Sequence, residues 1–308
     1  MSLRILVTGA TGQVGWQLQR TLAPLGEVVA RTRSELDLSD PDGVAQFVRE
    51  LAPDLVVNAA AYTAVDKAAS EQELAHTINA VSPGRIASEL ARLGGLLVHY
   101  STDYVFDGSK TGAYVEEDQT APLSIYGQTK LAGEQAIAAS GCAHIILRTS
   151  WVYDTRGKNF LRTVLRLARE REELRMVDDQ HGAPTWARAI AEATAQVVAR
   201  CLQKRDQSGW GYRGLFHLTA GGATTWAGFA RQILQDYAAL AAWPAGAGEF
   251  GSPLLAERVL PITSEQYKTP ARRPANSVLS NEKLQSTFGL KLPGWQVLLR
   301  LALQDAIR

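Results

Sequence analysis

The sequence predicts an α/β protein: a doubly wound, parallel Rossmann-type sheet with a smaller C-terminal substrate-binding lobe. Three observations lead there. Short apolar runs without polar alternation recur through the first half, as strands covered on both faces require. Segments with helical spacing separate them, which implies parallel pairing through crossovers. The turn Gly9-Ala10-Thr11-Gly12-Gln13-Val14-Gly15 follows the first run and opens the first helix.

Taken in order, Leu3–Thr8 is the first strand and about Val14 to Leu25 the first helix. Val28–Arg31 is a second strand. Pro41–Leu51 is a helix, with Asp40 as N-cap and Pro41 in its first position. Leu55–Asn58 is a third strand, and Ala64–Leu93 a helix broken near Ser82-Pro83. Leu96–Tyr100 and His144–Arg148 are the fourth and fifth strands. Beyond about residue 150 the pattern loosens: helices over Asn159–Glu173, Trp186–Lys204, Thr225–Leu240, Asn281–Phe288 and Trp295–Ile307, a strand over Gly214–Thr219, and a loop over Ala242–Pro253. The expected division is a nucleotide-binding domain over 1–150, with later segments returning to it, and a mainly substrate-binding lobe over 151–308.

Composition narrows the function. The chain has 308 residues, 46% hydrophobic and 20% charged, enough for a large core and too apolar for extended disorder. Its 32 basic and 31 acidic residues leave a formal charge of +1, which argues against nucleic acid as a partner. No run of about 18 apolar residues occurs, so no membrane span is expected. Two cysteines, Cys142 and Cys201, exclude a disulfide framework. The strand-like run from Leu3 leaves no room for a secretory leader, so a cytoplasmic location is expected. The five histidines lack metal-ligand spacing.

The glycine turn, spaced G-x-x-G-x-x-G, has the physics of a phosphate cradle. Glycine lets the backbone approach a pyrophosphate, and the helix start supplies N–H groups and a positive dipole end. Gly9, Gly12, Gln13 and Val14 are therefore candidate cofactor residues. An acidic residue at the end of the second strand favours NAD. Here stands Arg31-Thr32-Arg33, whose guanidinium groups suit a 2′-phosphate, so NADPH is the expected cofactor, with NADH possible.

Catalytic residue types follow the fourth strand. Ser101-Thr102-Asp103 lies where such sheets place their chemistry, and Tyr126-Gly127-Gln128-Thr129-Lys130 puts a phenol and an amine four apart on one helix face. An ammonium beside a phenol lowers its pKa from near 10. On this reading Tyr126 protonates a forming alkoxide, Thr102 holds the reacting oxygen, and Lys130 also reaches a cofactor ribose.

With these motifs the chain resembles the extended short-chain dehydrogenase/reductases, and within them the dTDP-4-dehydrorhamnose reductases. The likeness is carried by residues 11–16, 57–68 and 101–106, then by Tyr126-Gly127 with 129–134, and by 148–153. It continues through Asp179-Gln180 with Gly182-Ala183-Pro184-Thr185, and ends at Thr269-Pro270-Ala271-Arg272-Arg273-Pro274. The resemblance implies NADPH-dependent reduction of the C4 keto group of dTDP-6-deoxy-L-lyxo-4-hexulose to dTDP-L-rhamnose. It implies Thr102, Tyr126 and Lys130 as the catalytic set. Thr32, Asp37, Leu38, Ala61, Tyr62, Thr63, Tyr126 and Lys130 would join the glycine turn at the cofactor. Thr102, Asp103 and Trp151 would touch the sugar nucleotide, and Arg272 and Arg273 suit its diphosphate.

Some members of that family dimerise around magnesium held by glutamates. Here Gln17 and Arg188 occupy two of the glutamate positions, so no such site is expected, and the chain is expected to be a monomer or weak homodimer. Two other readings remain at this stage. One is another sugar-nucleotide reductase or epimerase of the superfamily; a dehydratase is disfavoured because Tyr104, not an acid, follows Asp103. The other is a non-enzymatic dinucleotide-binding regulatory subunit.

Overall fold

In the computed structural model, residues 3–206, 209–241 and 254–307 are described. The loop expected over Ala242–Pro253 lies outside them. The first apolar run forms strand β1 (Leu3–Thr8), whose Ile5, Leu6 and Val7 are fully buried. Helix α1 (Gln13–Thr21) crosses to β2 (Gly26–Arg31), and α2 (Pro41–Leu51) leads to β3 (Leu55–Asn58). The Asp40 carboxylate accepts from Gly43 N at 3.0 Å at the start of α2, a cap worth about 1 kcal/mol.

The helix expected over Ala64–Leu93 is interrupted just before Ser82-Pro83, as expected, but it starts later, at Gln72. Helix α3 (Gln72–His76) runs through a π turn at Thr77–Val81 into α4 (Ser82–Leu93). Residues 64–66 lie outside it, followed by a 3-10 turn at Lys67–Ala69. Pro83 has no N–H to offer the Asn79 carbonyl four residues back, and the wider turn absorbs that loss. The freed carbonyl lies against the next helix, where a Cβ on Gly133 would meet Asn79 O at 2.1 Å.

Strand β4 (Leu96–Thr102) is buried along its whole length. Helix α5 (Ile125–Ala139) and β5 (Ala143–Thr149) follow. The second half supplies β6 (Val152–Tyr153), α6 (Phe160–Glu170), β7 (Glu173–Val177), β8 (His181–Gly182) and β9 (Thr185–Trp186). Next come α7 (Ala187–Gln203), β10 (Gly214–His217), β11 (Thr224–Thr225) and α8 (Trp226–Ala241). The chain closes with β12 (Arg258–Ile262), α9 (Glu282–Phe288) and α10 (Trp295–Ile307).

The main sheet is wholly parallel, in the order β2-β1-β3-β4-β5-β10. The order reverses between β1 and β3, and the carboxyl ends there open a crevice. One face packs Leu18 of α1, Ile190 and Val197 of α7 and Phe288 of α9; the other packs Val44 and Val48 of α2 with Ile86 and Leu90 of α4. Thus α7, β10 and α9, from the second half, complete the layers around the sheet. A separate core joins Val164 of α6, Phe229 and Ile233 of α8, Val259 of β12 and Leu299 of α10. Among the described residues no helix is long and apolar enough to cross a membrane.

Candidate active site

A cleft of about 620 Å³ lies along the carboxyl ends of β1, β3 and β4. Its floor is the glycine turn. Gly9 has φ +68°, and a Cβ there would lie 2.8 Å from Ala60 N. A Cβ on Gly15 would lie 2.1 Å from Gly9 O, so the helix start sits directly on the turn. Gly12 N donates to Gly9 O at 2.8 Å, and the start of α1 carries no side-chain cap. Such uncapped N–H groups suit a pyrophosphate. Asn159 Nδ2 donates to Gln13 Oε1 at 3.0 Å and ties the segment before α6 to this turn.

Of the sequence-predicted cofactor residues, Gly9, Gly12, Gln13, Val14, Asp37, Leu38, Ala61, Tyr62, Thr63, Tyr126 and Lys130 all line the cleft. Arg31 and Thr32 do not. The Arg31 guanidinium lies 5.3 Å from the Phe47 ring centroid, and Thr32 Oγ1 donates to Glu35 at 2.7 Å. Arg33 is the guanidinium at the cleft, 3.5 Å from Asp37. Ser101, noted at the end of the fourth strand, and Thr149, within the 148–153 block, were given no cofactor role by the sequence, yet both line the cleft. Their hydroxyls are buried without a hydrogen-bond partner, an orphaned pair that a polar cofactor would satisfy. The signal for Thr149 was its register, since it pairs with Thr102 across β4 and β5. With the glycine cradle, this donor set fits a dinucleotide.

Thr102 ends β4. Its Oγ1 donates to Asp103 Oδ1 at 3.0 Å and accepts from Tyr104 N at 3.2 Å. Ser150 Oγ donates to Asp103 Oδ2 at 3.1 Å. Burial outweighs these bonds and raises the Asp103 carboxyl to about 6. Tyr126 stands in the first turn of α5, held by the Ser124 cap on Gly127 N, with its ring edge-on to Tyr104 at 5.9 Å. Burial pushes its phenol up to about 12, and the Thr102 hydroxyl offsets this only in part.

Lys130 corrects the sequence expectation of an ammonium that acidifies Tyr126. Its Nζ donates to Tyr100 O at 2.6 Å and lies 3.2 Å from His99 Nε2, while burial keeps the phenol high. Burial lowers the amine to about 8, against the pull of Glu134. Helical spacing puts both side chains at the cleft, and the Tyr100 carbonyl within β4 takes the hydrogen bond of the amine.

The substrate candidates surround this centre. Trp151 has φ +47° and stacks on Trp226 with ring centroids 3.5 Å apart and 5° between planes. A Cβ on Gly182 would strike the Trp151 ring. Trp226, read from sequence only as a helix residue, is thus the partner that covers the Trp151 ring. Arg273 pairs with Asp66 at 3.0 Å and bears on Tyr104, while Arg272 is exposed. Gln17 Nε2 donates to Asp154, and Arg188 is paired with Glu192 and Asp305. Among the described residues no group of three metal-ligating side chains occurs.

This geometry has counterparts in known proteins. Residues 3–307 match the family model for the RmlD substrate binding domain. The dTDP-4-dehydrorhamnose reductase of Burkholderia thailandensis is 50% identical over 99% of both chains. The Escherichia coli K12 protein of the same name is 48% identical over 96% of this chain and 95% of its own. The crystal structure of dTDP-4-dehydrorhamnose reductase from Bacillus anthracis in complex with NADP is 33% identical. It superposes with a TM-score of 0.87, covering 99% of this chain and 100% of that one. A parallel sheet with a glycine-lined crevice, a Thr–Tyr–Lys set at its mouth and this likeness along the whole length lead to one assignment: the chain belongs to the dTDP-4-dehydrorhamnose reductase family.

Proposed function

We propose that this protein reduces the C4 carbonyl of dTDP-6-deoxy-L-lyxo-4-hexulose with NADPH and forms dTDP-L-rhamnose. The observation that carries the reading is that Tyr126 and Lys130 line the same cleft as the glycine turn, with Thr102 buried at the end of β4 beside them. The relatives' shared activity and the NADP held by the Bacillus anthracis enzyme support it.

In this mechanism Gly9, Gly12, Gln13 and Val14 hold the pyrophosphate, and Arg33 meets the 2′-phosphate. Ser101 and Thr149 offer their unpartnered hydroxyls to the polar edge of the cofactor. When bound, the reduced nicotinamide supplies hydride to the carbonyl carbon. Tyr126 gives its proton to the carbonyl oxygen, and Thr102 orients that oxygen. A phenol held near 12 stays protonated at neutral pH, the state a general acid needs at the start of a reduction. Trp151 and Asp103 flank the sugar, and the Arg272–Arg273 segment serves the diphosphate. Residues 1–150 form the nucleotide domain and 151–308 mainly the substrate lobe. The chain acts in the cytoplasm as a monomer or weak homodimer, since Arg188 is satisfied within its own chain by Glu192 and Asp305.

The test is NADPH oxidation with the keto sugar, generated in situ from dTDP-glucose by a dehydratase and an epimerase. Consumption of NADPH with matching appearance of dTDP-L-rhamnose is expected. No consumption by the folded protein overturns the reading.

A further inference from the structure

Behind Lys130 runs a buried chain of side chains that the mechanism above does not use. Thr8 Oγ1 donates to Asn58 Oδ1 at 2.6 Å, Asn58 Nδ2 lies 3.0 Å from His99 Nδ1, and His99 Nε2 lies 3.2 Å from Lys130 Nζ. Thr8, Asn58 and His99 are each at most 1% exposed. They sit side by side on β1, β3 and β4, where the register pairs Thr8 with Asn58 and Asn58 with His99.

The hydrogen-bond capacities of these groups allow two patterns, which run in opposite directions between Asn58 and Lys130. In the arrangement just described, Asn58 Nδ2 donates to Nδ1, so the neutral imidazole carries its proton on Nε2. That N–H meets a partner only if Lys130 Nζ brings a lone pair, as a neutral amine does. A charged Lys130 reverses the chain. The ammonium donates to a bare Nε2, the imidazole proton sits on Nδ1, and the Asn58 amide turns over to accept it, with Nδ2 donating to Thr8. Amide orientation and histidine tautomer are free to follow the network in this way. Ala60 N lies 3.3 Å from both Thr8 Oγ1 and Asn58 Oδ1; turning the amide gives up the second of these, and the bond that the Thr8 hydroxyl donates, in exchange for the bonds to the ring and the ammonium. The ring moves one proton between its own nitrogens and gains none.

We propose that His99 is a positioning residue for Lys130: through it the Thr8–Asn58 pair matches its hydrogen-bond direction to the charge on the amine and holds Nζ at the cleft in either state. The inference rests on the assignment of Lys130 to the reductase site. Burial keeps the imidazole well below its ordinary pKa, hence neutral, and brings Lys130 to about 8, where both of its charge states are populated. The other titratable groups facing Lys130 are Tyr126 and Glu134 on α5 and Tyr100 on β4. Glu134 is itself held by Arg148 of β5 at 2.7 and 2.8 Å.

The experiment compares wild type, His99→Phe and His99→Gln through the pH profile of kcat/KM for NADPH oxidation with the keto sugar. Removing the acceptor disfavours the ammonium, so the alkaline limb in His99→Phe moves to lower pH by about one unit. His99→Gln, whose amide oxygen accepts from Nζ, returns the limb toward wild type. An equal loss of rate at every pH, or Gln behaving as Phe, overturns the proposal. Nitrogen-15 NMR of the wild-type imidazoles provides a second reading that needs neither turnover nor a folded Phe variant. The two His99 ring signals, assigned from their loss in His99→Gln, exchange character as Lys130 titrates and stay fixed in Lys130→Met. A tautomer that ignores pH in wild type overturns the proposal. Absence of wild-type turnover rejects the reductase reading instead, and the NMR still decides the role of His99.

Discussion

Lys130 Nζ donates to the main-chain oxygen of Tyr100 at 2.6 Å, the hydrogen bond that joins α5 to the last turn-ward residues of β4. It sets the division of labour at the site. The amine is anchored to the sheet, while burial raises the phenol four residues earlier to about 12, so that it keeps its proton at neutral pH. In the proposed reaction Tyr126 is the acid, and Lys130 is the residue that the sheet holds beside it.

Tyr126→Phe removes that acid while keeping the ring against Tyr104. The expected result is a loss of kcat by roughly 10²–10⁴. NADPH affinity, followed by fluorescence titration, is expected to stay within about twofold of wild type, since a proton donor contributes mainly in the transition state.

Arg33→Ala separates the cofactors. Removing a charge-assisted contact to a 2′-phosphate costs about 1.5–3 kcal/mol, a weakening of NADPH binding by roughly 10- to 100-fold, with NADH binding little changed. Parallel Kd measurements for the two cofactors check this. Equal losses for both would place the 2′-phosphate elsewhere.

Gly15→Ala introduces a Cβ onto Gly9 O, where a clear separation of only 2.1 Å is available. The turn and the helix must part, at a cost of about 1–3 kcal/mol. Denaturation midpoints are expected to fall, and NADPH affinity with them, because the same displacement opens the phosphate cradle.

Asp103→Asn exchanges stability against function. The folded carboxyl, near 6, lies above the ordinary 3.8 of an aspartate. Below about pH 4 both folded and unfolded chains hold the proton. Between about 4 and 6 the unfolded chain releases it first, so stability falls as pH rises, and the penalty persists above 6. The variant is expected to gain on the order of 1–3 kcal/mol over wild type at about pH 8 relative to pH 4, from the size of that shift. Urea denaturation at the two pH values measures it. Turnover is expected to drop because Thr102 loses the carboxylate that orients its hydroxyl.

Arg148 and Glu134 form a buried bidentate pair at 2.7 and 2.8 Å, each about 5% exposed or less. Arg148→Leu strands the Glu134 charge and is expected to cost about 3–5 kcal/mol in unfolding free energy. The double variant with Glu134→Leu is expected to recover much of that loss in the same denaturation series.

Local pattern was enough for much of this molecule. Apolar runs marked every strand of the main sheet, and the Asp40–Pro41 start and the extent of α2 followed from its cap. The glycine turn and the Thr102, Tyr126 and Lys130 set were legible because strand ends, helix starts and i, i+4 spacing are short-range properties of the chain. What lies across the sheet was not. The Trp151–Trp226 stack joins residues 75 positions apart, β10 returns to the sheet edge from beyond residue 213, and the Asn79 carbonyl finds its place against Gly133. The turning of Arg31 onto Phe47 and of Lys130 toward Tyr100 was decided in the same way. A long side chain has several partners within reach of its backbone position, and only packing in three dimensions selects which of them it meets.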